Sequence, residues 1–474
     1  MPRMRWRICP HCNRHAERTA GTHRVARLTV YAAHSTAIVL PARIRAYYDS
    51  TMSRTAIIGA GLAGLSCAHA LQKRGVDWAI FEASDAVGGR VRTDIVDGFR
   101  LDRGFQVYLT AYRAAGELLE YAPLNFRTFR AGAEVFDGRG FTQISHPLRH
   151  PLSAIRGLAA RPGMALDFAR LAPMALDAVR HPILQPGVAA GSTLDELRRM
   201  DLGITTVDGF MRSFFGGVFL DRTLGTDFSQ FQYIFSTFAR GQTVIPALGM
   251  GEIPKQLAAS LPAERIRLRA PVSSIARRGK SFAVRTASGD EAIFDAVVLA
   301  TDMSAAHALD ARVNARAWCS NVTFYWACDV GRLPAPLHQP TLFLDGTGDG
   351  PVNHAACISS VAPEYAPAGQ SLIALNMVEV DWAAESMSSV TARMVVQMER
   401  WFGTGAMRGW RLLRTDRIVR ALPRQHTADI HARPSTEIDD GMFVAGDHVT
   451  DGSIDGAVRS GTLASEAVLR WFNR

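Results

Sequence analysis

Gly59-Ala60-Gly61-Leu62-Ala63-Gly64 has the spacing that lets a backbone turn meet a diphosphate. The first glycine makes the tight turn, the second lets the main chain approach the phosphates, and the third lets a helix pack close to a strand. Glu82 lies 23 residues past Gly59, where a carboxylate accepts from ribose hydroxyls, and Ala83 follows it. These residues can act only if the flanking elements hold them, and the flanks read accordingly. Thr55-Ala56-Ile57-Ile58 is a short apolar run of strand type, and Leu62 to Arg74 has helical periodicity stopped by Gly75. Val76 to Glu82 is a second strand ending in an acid. Together they form a βαβ unit for a dinucleotide, its phosphates over a helix N-terminus.

Six residues past Glu82 comes Gly88-Gly89-Arg90-Val91-Arg92-Thr93, followed by Gly98-Phe99-Arg100-Leu101-Asp102-Arg103-Gly104-Phe105-Gln106. Near the C-terminus stand Gly441-Met442-Phe443-Val444-Ala445-Gly446-Asp447 and the glycine-rich Asp451 to Gly461. On these motifs the chain resembles the superfamily of FAD-dependent amine oxidases, protoporphyrinogen oxidases and phytoene desaturases, over residues 52–110, 240–302 and 436–474. The resemblance implies an α/β fold: a Rossmann-like FAD-binding domain of glutathione-reductase type with an inserted α+β substrate domain. The FAD-binding domain is then discontinuous, 52–110 with 240–315 and 430–474, and 111–239 with 316–429 form the substrate domain. The resemblance also implies that Gly88, Gly89 and Arg90 wrap the pyrophosphate, with Arg90 as counter-ion. Gly446 and Asp447 would meet the ribityl and phosphate side of FAD. The helix beginning near Asp455-Gly456-Ala457 would point its N-terminus at the flavin. Val272 would lie by its backbone on the adenine side, and Thr301 near the cofactor.

Between these blocks, 146–199 shows helical periodicity broken by prolines, with arginines on the outer face. Such a face suits peripheral contact with a membrane as well as solvent. Phe210 to Phe219 and Phe228 to Phe238 are dense in aromatics and read as a packed helical layer or as the wall of a lipophilic pocket. From Ile266 the pattern becomes strands: Ile266 to Val272, Ser274 to Ala276, Phe282 to Thr286 and Phe294 to Thr301, with turns at Arg278-Gly279-Lys280 and Ser288-Gly289-Asp290. Further strands are expected at Asn321–Cys328, Ala355–Val361 and Ser371–Val380. A helix over Val390–Phe402 would carry Val390, Met394, Met398 and Trp401 on one face.

The flavin that the resemblance implies accepts a hydride from carbon, which leaves C–N and C–C dehydrogenation as alternatives. Two departures weigh against amine oxidation. Many amine oxidases of the superfamily hold a lysine through a water at the flavin, and the lysines here are only Lys73, Lys255 and Lys280, none in the substrate sheet. Monoamine-oxidase-like members set an aromatic cage wall just before the last helix, where Ser453 stands here. The expected protein is an FAD-dependent oxidoreductase acting on a lipophilic organic small-molecule substrate, with oxygen or a quinone as acceptor. An amine oxidase for CH–NH groups and a redox-neutral isomerase or mutase are the alternatives. A flavin carrier without turnover is disfavoured by the intact motifs. No catalytic residue is assigned. Arg424, Gln425 and His426 read as an ordinary loop or as the polar end of the pocket.

Composition fits this reading. The 474 residues are 47% apolar, enough for a large core, and no stretch is long and apolar enough to span a bilayer. The net charge of +9 is concentrated in residues 1–51, where nine arginines face only Glu17 and Asp49. The remainder is nearly neutral, which argues against nucleic acid as a partner. Residues 1–51 are read as an extension outside the fold. Within them Cys9-Pro10-His11-Cys12 has the spacing of half a zinc site, with His15 and His23 nearby, but no second cysteine pair follows, and no metal is expected. The stretch from Leu28 to Leu40 is a poor secretory signal, interrupted by His34 and Ser35. Cys67, Cys319, Cys328 and Cys357 sit in apolar surroundings, as reduced core thiols do, and a cytoplasmic location, at most peripheral to a membrane, is expected.

Overall fold

A computed structural model describes residues 53–145, 149–160, 162–379 and 386–474. The expectations for 1–51, the Cys9–Cys12 pair included, lie outside the described residues.

Arg54–Ile58 lies inside a six-stranded sheet with the order Ile266–Arg267, Asp77–Phe81, Arg54–Ile58, Ala296–Leu299, Met442–Val444, Glu437–Asp439. The first five strands run parallel and the last is antiparallel. A parallel sheet is covered on both faces, so its strands are short unbroken apolar runs rather than alternating ones. Ile57, Val298 and Phe443 pack with Leu65 and Ala68 of the helix Leu62–Lys73 and Val458 of the helix Ile454–Phe472. Ala56, Val297 and Val444 pack on the other side against Phe282, Val284 and Phe294. Those phenylalanines belong to an antiparallel meander of Val272–Arg278, Ser281–Thr286 and Glu291–Phe294. The expected run from Ile266 to Val272 is split in two. Arg269 adopts φ +53° ahead of Pro271, which ends one strand at Arg267 and starts the next at Val272.

A second sheet has seven strands in the order Arg411–Pro423, Trp318–Asp329, Gln370–Val378, His354–Cys357, Leu342–Asp345, Gly132–Phe136, Phe141–Ser145. One face carries Val322, Phe324, Ile373 and Leu375 against Val390, Met394, Met398 and Trp401 of the helix Met387–Phe402. The other face carries Asn321, Thr323 and Tyr325. The strand read over Ala355–Val361 ends at Cys357, and Ile358–Val361 is a helical turn instead. The Ser359 hydroxyl accepts the Leu372 N–H there, a side-chain bond that replaces the ladder. The helices Pro151–Ala160, Pro162–Arg180, Arg212–Phe219 and Phe228–Arg240 form a layer with its own apolar core around Leu171, Phe215, Phe231 and Tyr233.

Candidate active site

A cavity of about 1550 Å³ is bounded by both sheets and the helical layer. Gly59, Gly61, Leu62, Ala63, Glu82 and Ala83 line it at the βαβ unit. Gly88, Gly89, Arg90, Val272 and Thr301 line it next to them, and Gly446, Asp447 and Ala457 complete this end. Ala60, Gly64 and Gly456 of the expected set stand behind the wall. Ala60 donates its N–H to Glu82 Oε2 at 2.7 Å and accepts the Gly88 N–H at 2.8 Å, tying the glycine turn to the acid and to the second glycine loop. A Cβ at Gly64 would sit 2.0 Å from the Gly59 carbonyl oxygen, so only glycine lets the helix pack there. The Gly456 N–H donates to Ser453 Oγ at 2.9 Å, which explains the serine: it caps the C-terminal helix.

The glycine turn is open towards the cavity and closed behind. Gly59 has φ +109°, and a Cβ on it would strike the Ala300 carbonyl oxygen at 2.6 Å. A Cβ at Gly61 meets nothing within 4 Å. The helix that starts after Gly61 has no side-chain cap, so its first N–H groups are left for an acceptor from outside the helix. Glu82 is held ready by the Ser84 N–H at 2.8 Å and hydroxyl at 2.6 Å. This cradle fits a dinucleotide: open backbone at the turn, unpaired helix donors, and a pre-oriented carboxylate.

Arg90 and Asp447, which arrive from distant parts of the chain, bond each other at 2.6 Å. Arg90 also donates to the Ala421 carbonyl at 2.9 Å and lies over the Trp318 ring. The carboxylate is 6% exposed and the arginine 37%, so the pair shields a buried anion while the guanidinium still reaches the cavity.

The far lobe is apolar. Its wall comes from the helical layer, with Met164, Phe168, Leu171, Phe210, Phe214 and Phe238 among the lining side chains. Both readings of the aromatic segments therefore hold: Phe215 and Phe219 line the lobe and also belong to the helical core. Among the described residues no lysine lines the cavity, and Lys255 is paired with Glu252 at 2.8 Å. Of the loop Arg424-Gln425-His426, only Gln425 reaches the wall. Arg424 binds Asp429 at 2.7 Å and His426 binds Asp221 at 2.9 Å.

One part of the wall was not singled out from sequence. Thr323, Asn376 and His354 are directly paired neighbours across three strands of the seven-stranded sheet. Asn321 joins them, its Nδ2 bonded to Asn376 Oδ1 at 3.2 Å, and Asn321 and His354 line the cavity. The segment that follows Gly98 docks on this row. The Phe105 N–H donates to Thr323 Oγ1 at 3.2 Å, and the Phe105 ring meets His354 edge-on at 4.8 Å. The available signal was a polar residue inside an otherwise apolar strand, such as Asn376 in Leu372-Ile373-Ala374-Leu375-Asn376-Met377. Burial holds His354 neutral, its pKa lowered to about 3. His448, beside Asp447, is likewise lowered to about 4 by burial.

The family model for flavin containing amine oxidoreductase matches residues 62–469. The chain belongs to that family. It is accordingly an FAD-dependent oxidoreductase, and the cradle described above suits that cofactor. A segment is 37% identical over 67 residues to protoporphyrinogen oxidase 2, chloroplastic/mitochondrial, of Arabidopsis thaliana, covering 14% of this chain and 13% of the relative. Another is 31% identical over 200 residues to carotenoid phi-ring synthase of Streptomyces griseus, covering 38% of each. The chain thus spans well under half the length of these curated relatives. Among solved structures, cyclohexylamine oxidase from Brevibacterium oxydans IH-35A superposes with a TM-score of 0.65 at 16% identity, over 90% of this chain and all of that one. At that identity the likeness speaks for the fold alone. No helix among the described residues is long and apolar enough to cross a membrane.

Proposed function

We propose that this oxidoreductase dehydrogenates an apolar substrate at carbon, by C–C desaturation or a similar removal of two hydrogens, with oxygen or a quinone as the final acceptor. The observation that carries the reading is the joining, in one cavity, of the glycine cradle to a lobe walled by phenylalanine, methionine and leucine. The acids on the wall, Glu82, Asp302, Asp447 and Asp451, lie at or beside the sequence motifs of the cofactor end, and among the described residues no carboxylate of the helical layer lines the cavity to hold an ammonium. A charged amine would lose its hydration in such a lobe without compensation. The carotenoid named in the Streptomyces relative is a substrate type of that chemistry.

In this reading the six-stranded sheet carries the cofactor and the seven-stranded sheet floors the substrate space. Glu82 would accept from the ribose, the N-terminus of Leu62–Lys73 and the Gly88-Gly89 loop would hold the pyrophosphate, and Arg90, fixed by Asp447, would face its charge. Val272 would lie on the adenine side and Thr301 near the cofactor, and the Gly446 turn and the start of Ile454–Phe472 would meet the flavin half. FAD bound there supplies a two-electron acceptor for a hydride from carbon. The chain's own part is to hold the substrate against it and to exclude water, which the aromatic wall does.

The helices Pro151–Ala160 and Pro162–Arg180 both line the lobe and turn Leu152, Ile155 and Leu166 outward, each more than half exposed, beside the exposed Arg156 and Arg180. This supports entry of the substrate from a membrane surface. Co-sedimentation with anionic vesicles is expected, and recovery of all the protein in the supernatant would remove this part of the reading.

The reaction class is tested by mass analysis of the product after turnover with polyenes, porphyrinogens and amines. A product lighter by two hydrogens with its skeleton intact supports desaturation, and a product that has lost its amine nitrogen would replace it by amine oxidation.

A further inference from the structure

One buried hydroxyl is left over where the cofactor end of the cavity meets the helical layer. Asp455, near the start of the helix Ile454–Phe472, has both carboxylate oxygens engaged. Its Oδ1 accepts the Ala115 N–H at 2.9 Å and its Oδ2 the Tyr233 hydroxyl at 3.0 Å. Those bonds tie the turn Arg113–Gly116 and the helix Phe228–Arg240 to the start of the C-terminal helix. Arg459 lies 3.7 Å from Asp455 and pairs directly with Asp451, so both acids are compensated. Tyr112, which precedes the turn, lies within electrostatic reach of Asp451, Asp455 and Tyr233. Its hydroxyl nevertheless bonds no group among the described residues. The side chain is 8% exposed and lines the cavity, as Tyr233, Asp451 and Ile454 do. The Tyr112 oxygen also keeps accessible area, unlike the unpaired Asn321 Oδ1 and His354 Nε2, which are sealed. Beside it, the Ile454 and Asp455 N–H groups open the helix and have no acceptor among the described residues. Burial and the two acids push the Tyr112 phenol well above its ordinary range, so it stays protonated and acts as a donor.

A free donor on a cavity wall is the complement of an acceptor on the guest. The flavin ring has such acceptors at one end only: its pyrimidine edge carries carbonyl oxygens, and its opposite edge is a dimethylbenzene. Resting on the placement of the flavin half at the start of Ile454–Phe472, we infer that the Tyr112 hydroxyl donates a hydrogen bond to a ring carbonyl of the flavin. Hydrogen bonds and charge at that edge tune the electronics of the ring. Reduction adds negative charge there, so a donor fixed in advance favours the reduced form and raises the potential at which electrons are accepted. That is the direction needed to take hydrogen from a carbon with no neighbouring nitrogen lone pair to assist.

The test is Tyr112→Phe in the full chain. The hydroxyl bonds nothing in the protein, so the flavin-free variant should unfold at the temperature of the parent. With FAD bound, the two-electron midpoint potential, read by equilibration with a reference dye, should fall by about 30 mV, a tenfold loss of preference for the reduced form. In infrared difference spectra of protein loaded with FAD isotope-labelled at its ring carbonyls, a labelled band should move to higher frequency as its hydrogen bond is lost. Carbonyl bands unchanged in the flavin-loaded variant would overturn the inference, whatever the potential does. A variant that is destabilised or fails to fold without flavin would overturn it too, because the hydroxyl would then be serving the fold. Ala457→Leu, on the cavity wall at the same helix start, separates this inference from the placement of the flavin. It should shift the visible flavin band by crowding the ring. If it does and Tyr112→Phe changes nothing, Tyr112 alone is refuted. If neither variant alters the flavin, the placement of the flavin half falls as well.

Discussion

Two buried neutral imidazoles make the fold sensitive to mild acid, and the size of the effect follows from their surroundings. His354 is lowered from the ordinary 6.5 to about 3 and His448 to about 4, in both cases because burial disfavours the charged ring. Below pH 6.5 the unfolded chain takes up protons that the folded rings refuse. Stability is therefore lost as pH falls from 6.5 towards 4. At pH 5 each ring accounts for about 2 kcal/mol relative to neutral pH. Asp102 acts in the opposite direction. Burial raises its pKa from 3.8 to about 6, so the folded state holds an extra proton between those values and regains about 1.4 kcal/mol at pH 5. His448 isolates the effect best, since both its ring nitrogens lack partners and leucine fills similar space. Urea unfolding of the flavin-loaded protein and of His448→Leu, at pH 7 and pH 5, measures it. The variant should lose about 2 kcal/mol less than the parent between the two pH values. An identical loss in both would refute the assignment of a buried, neutral His448.

The two glycines of the turn should separate folding from cofactor binding. Gly61→Leu meets no protein atom within 4 Å at its Cβ, so the fold should survive by circular dichroism while the purified protein loses its flavin colour. Gly64→Val drives its Cβ against the Gly59 carbonyl 2.0 Å away and should lose both. Arg90→Met strands the buried Asp447 carboxylate; after discounting for the part-exposed arginine this costs about 2 kcal/mol, read as flavin lost on gel filtration. Phe214→Asp places a charge on the apolar wall and should weaken dodecanol binding at least about tenfold with flavin content unchanged, since the carboxylate must be desolvated by any apolar guest.

What could be read from the sequence was whatever local chemistry dictates. The βαβ unit was legible because a glycine turn, a helix and an acid-tipped strand must follow one another within about thirty residues. The meander was legible because its turns carry glycine at φ +63° and +94°, Gly279 and Gly289. The long helix was legible because Val390, Met394, Met398 and Trp401 recur on one face. Pairings made only in space were not. Nothing in the sequence joins Arg90 to Asp447, 357 positions apart, and the resemblance gave each a separate role towards the cofactor. The polar row was hidden for the same reason. Asn321, Thr323, His354 and Asn376 come from three strands, and each alone looks like a single polar residue in a strand. Only the register of the sheet makes them a group. Ile358–Val361 looked like strand because it continues the apolar run Ala355-Ala356-Cys357 and ends in a β-branched residue, and a serine hydroxyl bonding the backbone decided otherwise.

Turnover of the proposed kind requires a carbon-bound hydrogen of an apolar guest to reach the flavin. Anaerobic mixing of the flavin-loaded protein with polyenes, porphyrinogens and amines, followed at the visible flavin band, tests this directly. Bleaching by an apolar polyene or polycycle, with none by the amines, is the predicted result. Bleaching by amines alone would contradict it, and protein purified without any flavin band would contradict the cofactor site as well.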